Sequence, residues 1–431
     1  MSVHLGRALL LGPHPHLRAA AAHRGLRPIT CATGTDPALP GETLVEVADH
    51  ANADELLGAL ARAGVPLTDI GCVLSAKETG VVAAALLGAA LGVAALPVDT
   101  AVACRDKVVQ KQRVRAAGIP TATVRAVAGL AEFAHLDLPG FTGGVLKPTS
   151  GVACQATRLV TGAPAVRETA AALLADGVTG QFVLEDLVSF DEEWFVDGVV
   201  GDGVLRFASV GRYVAPPLAV TGGGLPQKYV FDPDAHADRY ALALATTRPA
   251  LAALGLRDGV FHMELFHSAG TVSFGECAAR PGGGAAIELV ANKFGVDLVG
   301  LAVDAVLGAP TAPPPTPQPG IFGKTALPVV PGYVESAPGV DELLALPGAV
   351  AAHTATLPGA TMPDLRQANR DHGGWLILRA DDEPTLRARM AHAVDWTARA
   401  TTTRTAAGQV RTLLDAGADL GLAFAGGAGR G

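Results

Sequence analysis

The first hundred residues alternate between short apolar runs and longer mixed segments. Arg7 to Gly12 predicts a strand, Leu17 to Arg24 a helix, and Arg27 to Cys31 a second strand. Leu44 to Val47 continues the series and Ala53 to Ala63 predicts a helix. Gly71 to Leu74 reads as a buried strand, followed by a long Ala-rich helix and a short strand from Ala95 to Val98. Strand and helix in alternation are the signature of a parallel sheet covered by helices, so residues 1–104 are expected to form a Rossmann-like domain. No GxGxxG follows the first strand, and no dinucleotide site is expected there. His14 and His16 fall at the carboxyl edge of that sheet, where such sheets take ligands; they are either substrate contacts or solvated loop residues.

Beyond residue 104 the pattern changes to mixed α+β. Asp106-Lys107 opens a helical stretch that ends near Gly118-Ile119-Pro120. Phe261 to Phe266 and the run from Phe274 read as antiparallel strands joined by a tight turn at 269–271. Tyr213 to Lys228 holds Pro216-Pro217, three glycines at 222–224 and Pro226; it is either a lid over substrate or a long connection. Pro310 to Pro319 is a stiff linker between residues 105–309 and a C-terminal α+β region expected over 320–415, with a strand at Trp375 to Leu378 and a helix from Pro384 to about Ala400. Residues 416–431 are expected to be a tail.

Composition narrows the function classes. A chain of 431 residues allows two to four domains. The net charge of −8 comes without any basic run, which argues against a nucleic-acid partner. Five scattered cysteines without a CxxC pair read as reduced thiols of a cytoplasmic protein. Arg7 and Pro13 interrupt any signal peptide. Val81 to Val98 is uncharged, but it is built of Ala, Gly, Leu and Val and reads as a buried helix rather than a membrane span.

The candidate chemistry lies in Glu264 and Glu276, which the hairpin can point at one place. Two carboxylates held together favour a hard cation between them, and Mg²⁺ takes one or two carboxylates plus substrate phosphates. Arg280 follows as a clamp for a phosphoryl group or oxyanion. The glycines after it let the backbone approach a ligand. Lysine is scarce, seven against 26 arginines, which draws attention to Lys107 and Lys147 as compact charges.

Lys107, the run from Val145 through Lys147 to Gly151, the run from Phe182 to Leu187, Glu193, and the two glutamates with Arg280 occur in an order that resembles the ATP-grasp enzymes. Within them it is most similar to the carboxylate–amine ligases that join amino acids. The resemblance spans about Leu9 to Leu307. It implies two lobes gripping ATP over 105–309. Lys107 and Lys147 would lie on the ATP phosphates, and Ser150 and Gly151 would belong to the loop covering them. Glu185 and the backbone through Val188 would form the adenine hinge. Glu193 would meet the ribose, with Asp191 and Glu192 as alternatives. Glu264 and Glu276 would hold Mg²⁺, with Mn²⁺ as a substitute. Arg280 and Lys147 would act on the transferred phosphoryl group, and His262, Gly282 and Gly283 would border the amino-acid substrate. Lys111, a turn past Lys107, is read as a surface residue. One departure is Ala278, where the family commonly places a metal-binding Asn. The implied activity is amide formation through an acyl phosphate, on small-molecule partners, with no nucleic acid or membrane involved; homodimers are frequent in the family. A bicarbonate-using carboxylase or purine-pathway ligase, and a non-catalytic nucleotide-binding protein, remain the alternatives.

Overall fold

In the computed structural model, residues 6–33, 38–221, 224–362, 373–404 and 409–419 are described. The N-terminal strands Arg7–Leu11, Arg27–Ala32, Thr43–Glu46 and Ile70–Leu74 pair in parallel, with Arg7–Leu11 between Arg27–Ala32 and Ile70–Leu74. The two central strands are apolar in their middle because both faces are covered. Leu9, Ile29 and Val73 pack on helices Ala53–Arg62 and Val81–Leu91. Leu10 and Leu74 pack on the opposite side with Val299 and Val303 of helix Leu298–Val306. The expected strand at Ala95 to Val98 does not form. Ala94 alone bridges to Cys72, and helix Val98–Ala103 begins directly after Pro97, whose fixed φ suits a helix entry.

A small antiparallel sheet follows, in the order Val124–Val127, Phe182–Asp186, Gly144–Pro148, Arg158–Val160. Helix Gly162–Ala175 closes its core through Val166 and Leu173 on Leu146, Phe182 and Leu184.

The largest sheet has eight strands: Thr271–Ala278, Gly259–Ser268, Glu192–Gly201, Val204–Tyr213, Gln227–Val230, Ile321–Ala326, Gly374–Ala380 and Ala349–Thr354, all antiparallel to their neighbours. Its last three strands come from beyond the Pro-rich 310–319 segment, so the C-terminal region continues this sheet. The end of that segment is pinned by Lys293. This fully buried ammonium donates to the Gln318 and Gly320 carbonyls and to Asp232. Helix Glu383–Ala400 packs against the sheet through Leu386 and Met390. A third antiparallel sheet, ordered Thr361–Met362, Gly332–Ser336, Thr402–Arg404, Val410–Thr412, lies near the C-terminus. Helix Leu413–Asp419 occupies the start of the expected tail, and residues 420–431 lie outside the described residues.

Register of the eight-stranded sheet positions the chemistry. Side chains alternate between its faces, and paired residues share a face. Asp197 lies opposite His262, Phe195 opposite Glu264, and Glu264 opposite Glu276. Tyr213 lies opposite Lys228, and Lys228 opposite Lys324. One face thus collects ionisable groups from six strands, while Trp194, Val196, Tyr229, Met263 and Leu265 of the other face form the main core. No helix among the described residues is long and apolar enough to cross a membrane.

Candidate active site

The hairpin carrying the two glutamates turns through Ala269 and Gly270, both at positive φ (47° and 80°), as a two-residue hairpin turn requires. The register slips by one residue beyond the Glu264–Glu276 pair, around Gly275. A Cβ at Gly275 would stand 2.8 Å from the Glu264 carbonyl oxygen, so a larger residue there would push the two strands apart.

Helix Lys107–Ala116 runs alongside this hairpin. Asp106 caps it by accepting from the Val108 and Val109 N–H groups. Gln110 locks its position by a reciprocal pair of bonds to Cys277, Nε2 to the carbonyl at 2.8 Å and backbone N–H to Oε1 at 2.9 Å. That contact sets Lys107 Nζ 3.2 Å from Glu276 Oε2. Lys147, from the middle of the small sheet, pairs with the other oxygen of Glu276 and stands 3.2 Å from Glu185 Oε1. Burial works against a charged Glu276, yet Lys107 and Lys147 outweigh it and hold its carboxyl well below the usual range.

Glu264 accepts from the Tyr213 hydroxyl at 3.2 Å and has His262 Nε2 at 3.8 Å. The fully buried Asp197 accepts from His262 Nδ1 at 2.8 Å. Burial alone would lower the His262 pKa, but Asp197 and then Glu264 raise it to about 9, so the ring is an imidazolium at neutral pH. Gly282 covers this pair: a Cβ there would meet Asp197 Oδ1 at 2.5 Å and His262 Nδ1 at 2.8 Å. Its small size therefore serves the Asp197–His262 contact. Gly283 faces open space, and its carbonyl accepts from Lys228 Nζ at 2.7 Å.

Arg280 is ion-paired to Glu78 and donates to the Pro281 carbonyl at 2.7 Å. Glu78 comes from the loop after strand Ile70–Leu74 and also receives Arg105 at 3.2 Å. The guanidinium of Arg105 donates in turn to the carbonyls of Ser150 and Gly151, which also lies 3.5 Å from Lys107 Nζ. The 150–151 loop therefore presents carbonyls to cations. His14 caps helix Pro15–His23 through the Leu17 N–H, and burial, then Lys77, push its pKa down to about 4. His16 Nε2 stands 3.3 Å from Glu288.

The strand's alternation sorts Glu192 from Glu193, and Asp191 precedes the strand. Glu192 faces Arg212, Arg239 and the Trp194 Nε1–H, while Asp191 accepts from Ser268 and Ala269 at the hairpin turn. Glu193 points to the site face. Burial, then Glu264 and Glu276, raise its carboxyl well above the usual range. Val188 follows the end of strand Phe182–Asp186 in an irregular segment. Glu185 turns both carboxylate oxygens toward lysines.

One expectation is corrected: Lys111 is not on the surface. It is 1% exposed, and its Nζ lies 3.6 Å from Glu185 Oε2. A helical turn from Lys107 places it on the same inward face, and that spacing was the available signal. Glu78 and Asp197 were also overlooked. Glu78 follows a strand at the ligand-binding edge of the first sheet, and Asp197 interrupts an otherwise apolar strand four residues after Glu193. Either pattern would have revealed them.

Among the described residues, no three His, Cys, Asp or Glu side chains gather as a complete metal site. Glu264 and Glu276 nevertheless fit a hard divalent cation. They face each other with cationic ammonium groups already against Glu276, and Mg²⁺ ordinarily completes its shell with phosphate and water oxygens. Ala278 supplies no donor.

The small sheet's Lys147 thus meets Glu276 of the large sheet, next to Glu264. No family model matches the chain. Its structure is similar to that of an L-amino acid ligase from Bacillus licheniformis, with a TM-score of 0.72 at 18% identity, covering 91% of this chain and 98% of that one. It is similar also to a carboxyaminoimidazole ribonucleotide synthase from Aspergillus clavatus complexed with ATP, with a TM-score of 0.68 at 16% identity, covering 91% and 99%. In sequence it is 27% identical over 391 residues to the uncharacterized protein y4rH of Sinorhizobium fredii, covering 86% of this chain and 78% of that protein. It is 22% identical over 230 residues to an L-arginine-specific L-amino acid ligase of Bacillus subtilis, little more than half of either chain (52% and 55%). The chain has the ATP-grasp fold, as the order of its motifs led us to expect.

Proposed function

We propose that the protein is an ATP-dependent ligase that activates the carboxylate of one amino acid and joins it to the amine of a second amino acid or amine. The observation that carries this reading is the Lys107–Glu276–Lys147 cluster facing Glu264, with partly buried Arg280 nearby. The cluster holds separable charges of both signs where phosphates and a cation would take over as partners. The resemblance to two L-amino acid ligases supports the substrate class.

In this reading Lys107 and Lys147 turn from Glu276 to the ATP phosphates. Glu193 accepts from the ribose, and the backbone from Glu185 to Val188 borders the adenine. Glu264 and Glu276 would hold Mg²⁺, or Mn²⁺ in its place, which neutralises phosphate charge when bound. The substrate carboxylate attacks the γ-phosphorus of ATP, giving an acyl phosphate and ADP. The incoming amine then attacks the acyl carbon, and phosphate leaves with the amide formed. Arg280, released from Glu78, presents a planar fork to the phosphoryl oxygens and the tetrahedral oxyanion. The protein thus supplies position and charge rather than a nucleophile. The substrates are small molecules, and the five free thiols fit a cytoplasmic setting.

A matrix of amino-acid pairs, screened for ADP and phosphate release with mass spectrometry of products, tests this directly. An amide product with stoichiometric ADP is expected. Incorporation of labelled bicarbonate in its place would identify a carboxylase. Absence of nucleotide turnover with every pair would remove the ligase reading.

A further inference from the structure

Lys111 has no place in the reaction just described, yet it is the most enclosed cation near the site. Among the described residues its Nζ finds no hydrogen-bond partner. Its neighbours are the Glu185 carboxylate at 3.6 Å and the ring of Phe274, whose centroid is 5.6 Å away. A buried ammonium without a hydrogen bond is costly, because water that solvated it has been removed without full replacement. Leu or Met would fill the same volume at no such cost. Burial pushes the Lys111 pKa down and the Glu185 carboxylate opposes that shift, so the ammonium and the carboxylate that faces it act on each other.

That carboxylate is shared. Glu185 Oε2 faces Lys111, and Glu185 Oε1 stands 3.2 Å from Lys147. Lys147 in turn pairs with Glu276, and Glu276 with Lys107. The five groups form a row of alternating sign, Lys111, Glu185, Lys147, Glu276, Lys107, with Lys111 at the closed end. The row is rigidly supported. Helix Lys107–Ala116 is held by the Gln110–Cys277 bonds, and Glu185 sits between Val124 and Val145 in the middle of the small sheet.

We propose that Lys111 is a positioning residue that shares the Glu185 carboxylate and thereby loosens its hold on Lys147, leaving Lys147 free to transfer to nucleotide phosphate. This rests on the ATP reading above. Without Lys111, Glu185 has one cation left, and the Glu185–Lys147 pair tightens. The phosphates must then break a stronger pair to reach Lys147. Contacts to the adenosine part involve neither lysine and are untouched.

The test is equilibrium binding of MgADP and of adenosine, by calorimetry, to the full chain. Wild type must bind MgADP; failure to do so overturns the ATP reading itself, not the role of Lys111 within it. Given binding, Lys111→Met is expected to weaken MgADP about tenfold or more, the size of a coupling between contacting charges, and to leave adenosine affinity within about twofold. Because Glu185 also begins the proposed adenine hinge, the double variant is read against Glu185→Gln alone: adding Lys111→Met to Glu185→Gln is expected to change MgADP affinity by less than about twofold, because the pair that would tighten is gone. Should Lys111→Met not fold, the double variant and Lys111→Gln carry the same comparison, since neither leaves an unmatched full charge on Glu185 against an apolar side chain. Unchanged MgADP affinity in Lys111→Met overturns the proposal. So does an equal loss for adenosine, which marks a merely structural residue, or an equally large MgADP loss when Lys111→Met is added to Glu185→Gln.

Discussion

Glu276 is held between two lysines, whereas Glu193 has no ion pair among the described residues and lies near Glu264 and Glu276, and this difference gives the two carboxylates opposite effects on stability. Glu276 is depressed in the folded protein, so it contributes stability above its unfolded pKa of about 4.3 and loses it as pH falls. Glu193 is raised, so its contribution is complete below about 4.3 and is lost as pH rises through the folded value. Glu193→Gln is therefore expected to raise the melting temperature of the ligand-free protein by a few degrees at pH 7.5, with little gain near pH 4.5. Differential scanning calorimetry at both pH values checks this; an equal gain at both would trace the effect to packing rather than charge. Glu276→Gln removes a carboxylate that opposes Glu264 and partners both lysines. ADP release should fall by about 10²-fold or more, with far-ultraviolet circular dichroism unchanged. Near-normal turnover at saturating Mg²⁺ would take Glu276 out of the proposed metal site.

At the scale of elements, the site depends on how helix Lys107–Ala116 meets strand Thr271–Ala278. Gln110 satisfies both backbone groups of Cys277 in a buried location. The turn after that helix adds a second tie, from the Phe274 N–H to the Pro120 carbonyl at 2.8 Å. Gln110→Leu keeps the volume but leaves the Cys277 N–H and carbonyl unpaired. A loss of about 2 kcal/mol in urea unfolding is expected, together with weaker nucleotide binding, because Lys107 loses its fixed position opposite Glu276. Full stability in the variant would show that water or a repacked neighbour replaces the amide. The glycines divide in the same way. Gly275 permits the bulge beside the two glutamates, and Gly282 accommodates Asp197 and His262.

At the scale of the molecule, Glu78 after the parallel sheet ties two other parts together: it binds Arg280, just past strand Thr271–Ala278 of the large sheet, and Arg105, which holds the 150–151 loop of the small sheet. The loop over the site holds Ala153, Cys154 and Ala156 at φ of 50°, 58° and 51°. Left-handed backbone costs a non-glycine residue about 1–2 kcal/mol, so this loop keeps its form only while its contacts last. The segment from Tyr213 to Lys228 joins two strands beside the same face; positions 222 and 223 of its glycine run lie outside the described residues. Binding of a non-hydrolysable ATP analogue with amino acids is expected to slow amide exchange in residues 149–157 and 213–228, as closure excludes water from an acyl phosphate. Hydrogen-exchange mass spectrometry measures this, and identical exchange with and without ligand would make both segments static connections.

The parallel N-terminal sheet, the hairpin with Glu264 and Glu276, and the long C-terminal helix were all legible in the chain. Each is specified locally, by apolar runs of strand length, by an Ala-Gly turn, and by a capped helical pattern. Lys107, Lys147, Glu264 and Glu276, singled out in the sequence for the scarcity of lysine and for the hairpin, are brought together by the fold. Tertiary structure decided the partners. Glu78 meets Arg280 across 202 residues and Lys111 meets Glu185 across 74, distances over which no local pattern carries information. It also decided that Ala95 to Val98 would lead into a helix rather than a strand, and that the region after the Pro-rich segment would extend the large sheet. A propensity is set by neighbours along the chain, but whether a lysine is solvated or buried is set by what folds over it.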